Sequence, residues 1–251
     1  MSKRTHIFEY FNPLEPCITR YSNGIPRQQA FYQDGKLEGV FKSWHINGRL
    51  SAQEHYRWGK LEGRRQCWHD NGKLAEDEFY VDGKLDGNRE VWSGSGGILV
   101  REFYRNGKLE GDRKAWHGNG QLWEWETFRN DKEEGTCKIW WQNGQLALRE
   151  FYRHGKEEGE YMVWDENGIP VSRSFFRKGR KEGEDRDWNA NGSLKAISYH
   201  RNDKIIDENF SLEKRRGFIT LKSHLHKDLQ SCFFVKFLIP DLYRSIFACK
   251  F

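Results

Sequence analysis

Aromatic and glycine positions recur along the chain at one fixed interval. Tryptophan occurs every 24 residues, at Trp44, Trp68, Trp92, Trp116, Trp140, Trp164 and Trp188. A glycine follows each tryptophan, at Gly48, Gly72, Gly96, Gly120, Gly144, Gly168 and Gly192, and asparagine precedes all of these glycines except Gly96. The unit reads F-Y-x-x-G-K-L-E-G-x-x-x-x-W-x-x-N-G-x-L, followed by six variable positions. Self-similarity at a fixed period indicates a repeat architecture.

Two glycine-containing segments divide each unit into strands. Asn-Gly between alternating apolar segments is typical of a two-residue type I′ hairpin turn, because both residues tolerate a positive φ. The G-K-L-E-G segment predicts a second, wider turn. Between the turns lie segments of ordinary strand length. The pattern therefore predicts a mostly β fold, an elongated single-layer antiparallel meander of about sixteen strands arranged as a solenoid of stacked hairpins.

Opposite charges test the pairing of these strands. A two-residue turn at Asn-Gly places Arg opposite Glu in three successive units, and such pairs stabilise sheets. These pairs are Arg65 with Glu78, Arg89 with Glu102, and Arg113 with Glu126. Across the wider turn, the expected pairs are Arg105 with Asp112, Arg153 with Glu160, and Arg177 with Glu184. Alternation then places the Trp and Phe positions on one face and the Leu and Tyr positions on the other.

The repeating unit resembles the MORN repeat, and most closely its second variant, which also occurs in bacterial proteins described as antitoxin components. The resemblance rests on G-K-L-E-G, the tryptophan and N-G-x-L, and it covers about three quarters of the chain. It implies hairpins stacked into a twisted sheet, and a role in scaffolding, dimerisation or protein binding. Lipid binding is attributed to some members. Ser95, Asp131, Asp203 and Pro170 depart from the consensus without changing its phase.

Three regions follow from this pattern: an N-terminal cap over residues 1–20, the array over residues 21–208, and a tail over residues 209–251. The tail carries the net charge of +5 of the whole chain, so the array is neutral and is not expected to be a basic DNA-binding surface. Its apolar residues follow helical spacing, which predicts a basic amphipathic helix. This helix either caps the last strand or docks on an acidic partner or anionic membrane. The basic residues that would dock are Lys214, Arg215, Arg216, Lys222 and Lys227.

Four tryptophans form the candidate protein-binding patch. The expected register sets Trp123 opposite Trp116 and Trp125 opposite Trp140, on one face near the middle of the array. Tryptophan is enriched at binding hot spots. The alternative is that the four side chains only fill a thin core.

Other residues give no specific chemical motif. His45, His69 and His117 occupy one repeat position, about 10 Å apart, which is too far for a shared metal ion. Lysines beside the wider turn, such as Lys36, are followed by acids such as Glu38, which favours a solvated turn over a phosphate-binding surface. No nucleophile, phosphate-loop or zinc motif is present, so we expect no enzyme activity, no cofactor, no metal and no small-molecule substrate.

The sequence therefore predicts a non-enzymatic scaffold that binds another protein, or a second copy of itself, through an aromatic-lined sheet. Peripheral binding to anionic membranes through the tail is the alternative, and antitoxin-like inhibition of a partner is a weaker one. No specific nucleic-acid partner is expected. Five scattered cysteines and the lack of an apolar leader favour a cytoplasmic location.

Overall fold

A computed structural model describes residues 15–207, and in that part of the chain all regular elements are β-strands. The predicted mostly β, antiparallel, hairpin-stacked sheet is confirmed. The structure described from residue 15 to residue 207 has 25 strands, more than the sixteen expected, because each wider turn contains an additional two-residue strand. The predicted helical cap, and most of the N-terminal cap, lie outside the described residues.

Each unit contains a short strand, a long strand and a two-residue strand. The short strands are Gly39–Trp44, Gly63–Trp68, Gly87–Trp92, Gly111–Trp116, Gly135–Trp140, Gly159–Trp164 and Gly183–Trp188. The long strands are Leu50–Arg57, Leu74–Val81, Ile98–Arg105, Leu122–Arg129, Leu146–Arg153, Pro170–Arg177 and Leu194–Arg201.

The remaining strands are two-residue strands and the strands at the two ends. The two-residue strands are Tyr32–Gln33, Lys36–Leu37, Lys60–Leu61, Lys84–Leu85, Lys108–Leu109, Lys132–Glu133, Lys156–Glu157 and Arg180–Lys181. Cys17–Arg20 and Pro26–Ala30 open the sheet, and Lys204–Asp207 closes it. Tyr32–Gln33 pairs with Lys36–Leu37 as a separate two-stranded sheet.

The Asn-Gly turn is not the type I′ turn that the sequence predicts. Gly48 has a positive φ of 84°, Asn47 is not among the positive-φ residues, and the Gly48 amide donates to the His45 carbonyl. Trp44 consequently pairs with Leu50 instead of Ser51. A β-bulge then places one extra residue on the long strand, which restores the expected register.

Because the turn and the bulge compensate each other, the predicted charge pairs are correct. Arg65 pairs with Glu78, and the equivalent pairs in the next two units are Arg89 with Glu102 and Arg113 with Glu126. For the same reason, side chains along most of each hairpin alternate between the two faces as predicted.

The type I′ turn lies instead in the segment that was predicted as the wider turn. Asn106 and Gly107 both have positive φ values, of 52° and 78°, and join Arg105 directly to Lys108. The expected pairing of Arg105 with Asp112 is therefore wrong, as are the pairings of Arg153 with Glu160 and Arg177 with Glu184. Arg153 pairs with Lys156 and Arg177 with Arg180.

Hydrogen bonds join successive units at the tryptophan end of the strands. His45 Nε2 lies 2.8 Å from the Trp68 carbonyl oxygen of the next unit, and His69 and His117 repeat this contact. The Asn47 amide donates to the Asp70 carbonyl at 2.8 Å, while its own oxygen accepts from the Arg49 amide. The histidine position thus connects units to one another.

The opposite end is joined by the acids of G-K-L-E-G. Glu62 accepts the Asp82 backbone amide of the next unit at 2.8 Å, and Glu134 accepts the His154 amide at 2.8 Å. These contacts explain the acids more fully than local neutralisation of the lysines does. Asp131, which replaces a turn glycine, has a φ of 65°, and its carboxylate accepts the Leu109 amide at 2.7 Å. The departure from glycine is therefore compensated.

Candidate interaction surface

The two faces of the sheet differ in chemistry. Alternation along the long strands turns Glu102 and Tyr104 to one side, here called the inner face, and Arg101 and Phe103 to the other, the outer face. Glu102 is 7% exposed, and Tyr104 donates to its carboxylate. On the outer face, the Arg101 guanidinium lies over the Trp116 ring. The predicted sharing of one face by Trp and Phe positions is consistent with this alternation.

Buried charges fill the inner face of the first units. Arg65 donates to Glu54, Glu76 and Glu78, at 3.0, 3.0 and 2.7 Å. Arg89 and Arg113 occupy the same position in the following units. Arg89 bonds Glu76, Glu78 and Glu102, and Arg113 bonds Glu102, Glu124 and Glu126. We call this continuous set, from Glu54 to Glu126, the Arg–Glu ladder.

The ladder perturbs the ionisation of its own members. Burial alone pushes the pKa of Glu102 upward, but Arg89 and Arg113 outweigh burial and leave that pKa lowered. Burial opposes the charge of Arg113, yet Glu124, Glu126 and Glu102 hold its pKa above the ordinary value. Burial and the neighbouring Glu102 raise the pKa of Tyr104. The inner face is thus occupied by its own ion pairs.

The ladder ends where Cys137 replaces arginine. Cys137 is 1% exposed and belongs to a buried apolar cluster that includes Ile139, Leu148 and Tyr152. Its thiol lies 3.9 Å from Glu126, the last carboxylate of the ladder. In the units that follow, Tyr161 and Asp185 occupy this position. Asp185 accepts from Ser174 at 2.6 Å and from Lys181 at 2.8 Å.

The outer face leaves aromatic side chains accessible. Phe79 is 45% exposed and Phe151 is 37% exposed. Cations lie over several of the other rings. Arg149 lies 6.0 Å from the centre of the Trp164 ring, and Arg173 lies 4.8 Å from that of Phe175. Aromatic rings flanked by cations can contact both apolar and acidic groups of a partner.

The structure does not bring the four predicted tryptophans together as expected. Trp116 pairs with Leu122, because Trp123 is the extra residue of a bulge, and Trp125 pairs with Lys138 instead of lying opposite Trp140. Trp123 packs against two buried apolar clusters. Trp125 lies between Lys114 and Lys138, whose ammonium groups are 5.3 and 5.4 Å from its ring. A binding role for these tryptophans stays a prediction.

The other predicted residues have mainly architectural positions. Trp44, Trp68, Trp92, Trp164 and Trp188 end the short strands, and Gly48, Gly72, Gly120, Gly144, Gly168 and Gly192 all have positive φ values in the turns. The tail residues Lys214, Arg215, Arg216, Lys222 and Lys227 lie outside the described residues. Between residues 15 and 207 there is no cluster of three or more potential metal ligands and no helix that could span a membrane.

Sequence reasoning missed the continuity of the Arg–Glu ladder. It found the Arg–Glu pairs within hairpins, but each arginine also contacts a glutamate of the preceding hairpin. The signal was present in three successive units as an arginine two residues after the last glycine of the G-K-L-E-G segment.

Comparison with known proteins agrees with the architecture. The MORN repeat variant matches the chain at residues 61–82 and 133–154. The two matched segments are three periods of 24 residues apart, in phase with the tryptophans. No curated protein matches the chain significantly. MORN repeats are generally non-catalytic and serve as scaffolds for protein or membrane-lipid interaction. Two units of the array, residues 61–82 and 133–154, are therefore repeats of the MORN variant type.

Proposed function

We propose that this protein is a non-enzymatic scaffold that binds another protein, or a second copy of itself, through the outer face of its sheet. The accessible aromatic side chains of that face carry the proposal, above all Phe79 and Phe151. A scaffold surface needs side chains that gain contacts when a partner covers them. The inner face offers few, because its charges and apolar groups already contact one another.

Burial of aromatic surface supplies most of the energy of such a contact. A Phe or Trp side chain buries about 150–250 Å², and aromatic residues are enriched at the centres of interfaces. The cations beside the rings would select for acidic groups and increase the association rate more than the affinity. The repeated arrangement supplies several equivalent positions along one partner.

The test compares two double variants by cross-linking in extract from the source cells, together with the solution mass of the purified protein. Phe79→Ser with Phe151→Ser removes the accessible outer-face rings. Ile46→Ser with Trp58→Asn removes side chains of similar exposure, 63% and 52%, from the turns. We expect the first variant to lose cross-linked partners or self-association and the second to keep them. If the two variants retain the same partners, the outer face is not the binding surface.

The membrane alternative makes a different demand. If the tail anchors the protein, Lys214→Glu with Arg215→Glu and Arg216→Glu abolishes co-sedimentation with vesicles that contain phosphatidylserine. The outer-face variant would leave that binding unchanged. Loss of vesicle binding in the tail variant, with protein partners retained by both variants, would favour the alternative over the scaffold.

A further inference from the structure

Directly paired residues form one continuous row across the outer face. From strand to strand it runs Arg101, Lys114, Trp125, Lys138, Arg149, Met162, Arg173 and Arg186. We call this set the basic row. Its eight positions hold six cations and no acid. The same row toward the N-terminus contains Gln53, Gln66, Asp77 and Glu90.

The cations of the basic row occur in adjacent pairs. Arg101 lies opposite Lys114, Lys138 opposite Arg149, and Arg173 opposite Arg186. Like charges directly opposite each other destabilise a sheet. Three such pairs in one row therefore oppose folding to the extent that neighbouring acids, or an acidic ligand, do not compensate their charge.

Neighbouring acids neutralise the basic row only in part. Ion pairs of these cations within residues 15–207 involve four carboxylates, those of Glu90, Asp112, Glu160 and Glu184. The five cations in these ion pairs keep between 32% and 57% of their side chains accessible. Lys138 lies over the Trp125 ring. An acidic ligand therefore meets accessible positive charge along this line.

One apolar residue separates each pair of cations from the next. Trp125 follows the first pair and Met162 follows the second, so the pattern repeats every three strands. With strands about 4.8 Å apart, pairs of cations recur about every 14 Å and an apolar residue lies about 7 Å from each pair centre. In an extended peptide, side chains on one side are about 6.8 Å apart. The two spacings nearly coincide.

We propose that the basic row binds an extended, acidic segment of a partner protein that crosses the strands of the sheet. The segment would read acid-x-apolar-x-acid-x-apolar-x-acid, with acids over the cation pairs and apolar side chains over Trp125 and Met162. This inference rests on the proposed scaffold function and specifies the class of partner. The exposed Phe151 beside the basic row, opposite Thr136, adds apolar contact at its margin.

The structure favours a peptide over single-stranded nucleic acid. Non-specific binding of single strands relies on aromatic rings on which bases stack. Trp125 is the one aromatic residue of the basic row, and the ammonium groups of Lys114 and Lys138 both lie over its ring. Met162 provides no ring. An aliphatic side chain, unlike a base, needs no free ring face for its contacts with this row.

The experiment measures fluorescence anisotropy with the full chain and two labelled synthetic peptides of equal composition. In one peptide aspartate and leucine alternate at every second residue, and in the other the same residues are clustered at opposite ends. We expect the alternating peptide to bind about tenfold more tightly, because it alone aligns acids with cation pairs. Lys138→Glu with Arg149→Glu should remove that preference and weaken binding about tenfold or more.

Lys84→Glu with Lys108→Glu is the matched control, since it makes the same change in net charge on exposed two-residue strands outside the basic row. It should change affinity less than threefold. If the reversal at Lys138 and Arg149 unfolds the protein, Lys138→Gln with Arg149→Gln replaces it and should weaken binding several-fold.

Equal affinity for the two peptides, or equal losses in the row and control variants, would overturn the proposal. Oligo(dT) or phosphatidylserine vesicles that bind more tightly than the alternating peptide, and depend on Lys138 and Arg149, would also overturn it by identifying another ligand class. The scaffold proposal is tested separately by the Phe79 and Phe151 variant, which could lose its partners even if the peptides do not bind the basic row.

Discussion

The first and second halves of the array have the same backbone but different interiors. Arg89 pairs with Glu102 inside the Arg–Glu ladder, whereas Cys137 pairs with Glu150 beside an apolar cluster. The hairpin register is the same in both. The fold of a unit is therefore set by its turns and by the bonds to its neighbours, and its interior accepts either ionic or apolar chemistry.

The two interiors respond differently to change. Removing one partner of a buried ion pair is costly, although replacing the whole set by apolar residues is often neutral. An apolar interior loses stability more gradually, with the volume removed. The first half should thus be intolerant of single charge deletions, and the second half should tolerate conservative ones.

The largest expected effect comes from Arg89→Leu. This substitution removes the cation that links Glu76, Glu78 and Glu102, and leaves only Arg65 beside the first two and Arg113 beside the third. It should lower the free energy of unfolding by about 3–5 kcal/mol. Urea denaturation measures the change. Arg101→Leu is the control, because Arg101 is exposed and bonds Glu90, and it should cost less than about 1 kcal/mol. If the two variants lose equal free energy of unfolding, the Arg–Glu ladder tolerates the loss of a charge as well as the surface does.

Acid should have the next largest effect on stability. It protonates the buried carboxylates, whereas Arg89→Leu leaves them charged with fewer cations beside them. The pKa of Glu102 is lowered in the folded protein, and so is that of Asp185, where burial opposes ionisation but Lys181 and Ser174 outweigh it. Groups with lowered pKa values stabilise the fold above their unfolded pKa and lose that contribution as the pH falls through the folded value. Melting temperature should therefore hold to about pH 4 and fall below it.

The same titration in Arg89→Leu sharpens the comparison. Without Arg89, burial acts more strongly on the pKa of Glu102, and the acid transition should move to higher pH. Asp185 lies in the other half, so its contribution should not move. An acid transition at the same pH in both proteins would contradict a role of Arg89 in holding Glu102 ionised.

Cys137→Arg should extend the Arg–Glu ladder into the second half. The new guanidinium would meet Glu126 and Glu150 as Arg113 meets Glu102 and Glu126, and stability should rise by about 1–2 kcal/mol. Tyr161→Arg is the control. Tyr161 lies opposite Ser174, so an arginine there would meet no carboxylate on the paired residue. The substitution also removes the edge contact of Tyr161 with Phe176, and should therefore destabilise the protein. A loss of stability in Cys137→Arg would show that the apolar cluster cannot accept the charge.

The smallest expected effect concerns the side-chain hydrogen bonds that join successive units in both halves. His69→Ala removes a bond to the Trp92 carbonyl, and Trp141→Phe removes the equivalent bond to the Trp164 carbonyl. Each should cost about 1 kcal/mol, as measured by urea denaturation. A several-fold difference between them would mean that one half depends more on its edge bonds than the other.

The sequence predicted the period, the strands and the hairpin charge pairs, because these follow from alternation and turn residues. It misplaced the type I′ turn, since Asn-Gly suits both that turn and a turn followed by a bulge. Alternation does not distinguish them when the turn at Gly48 and the bulge beside Trp44 compensate. The expected pairing of Trp123 with Trp116 was wrong for the same reason, because Trp123 is itself a bulge residue. The register between neighbouring hairpins depends on the segment that was predicted as a wider turn and contains the type I′ turn. Because that turn was predicted wrongly, the Arg–Glu ladder and the basic row could not be predicted from the sequence.

The edge bonds also bear on how such a chain changes in length over evolution. The side-chain bonds of His69, Asn47 and Glu62 span 23, 23 and 20 residues, so each joins one unit to the next. Excision of residues 74–97 would join Lys73 to Ile98, and the edge groups His69 and Glu62 would meet the Trp116 carbonyl and the Asn106 amide, partners of the kind they had before. Duplication of one unit would likewise keep the edge bonds between successive units. A gene of this kind can therefore gain or lose 24 codons in a single recombination event and still encode a foldable protein, with a basic row or an Arg–Glu ladder of different length.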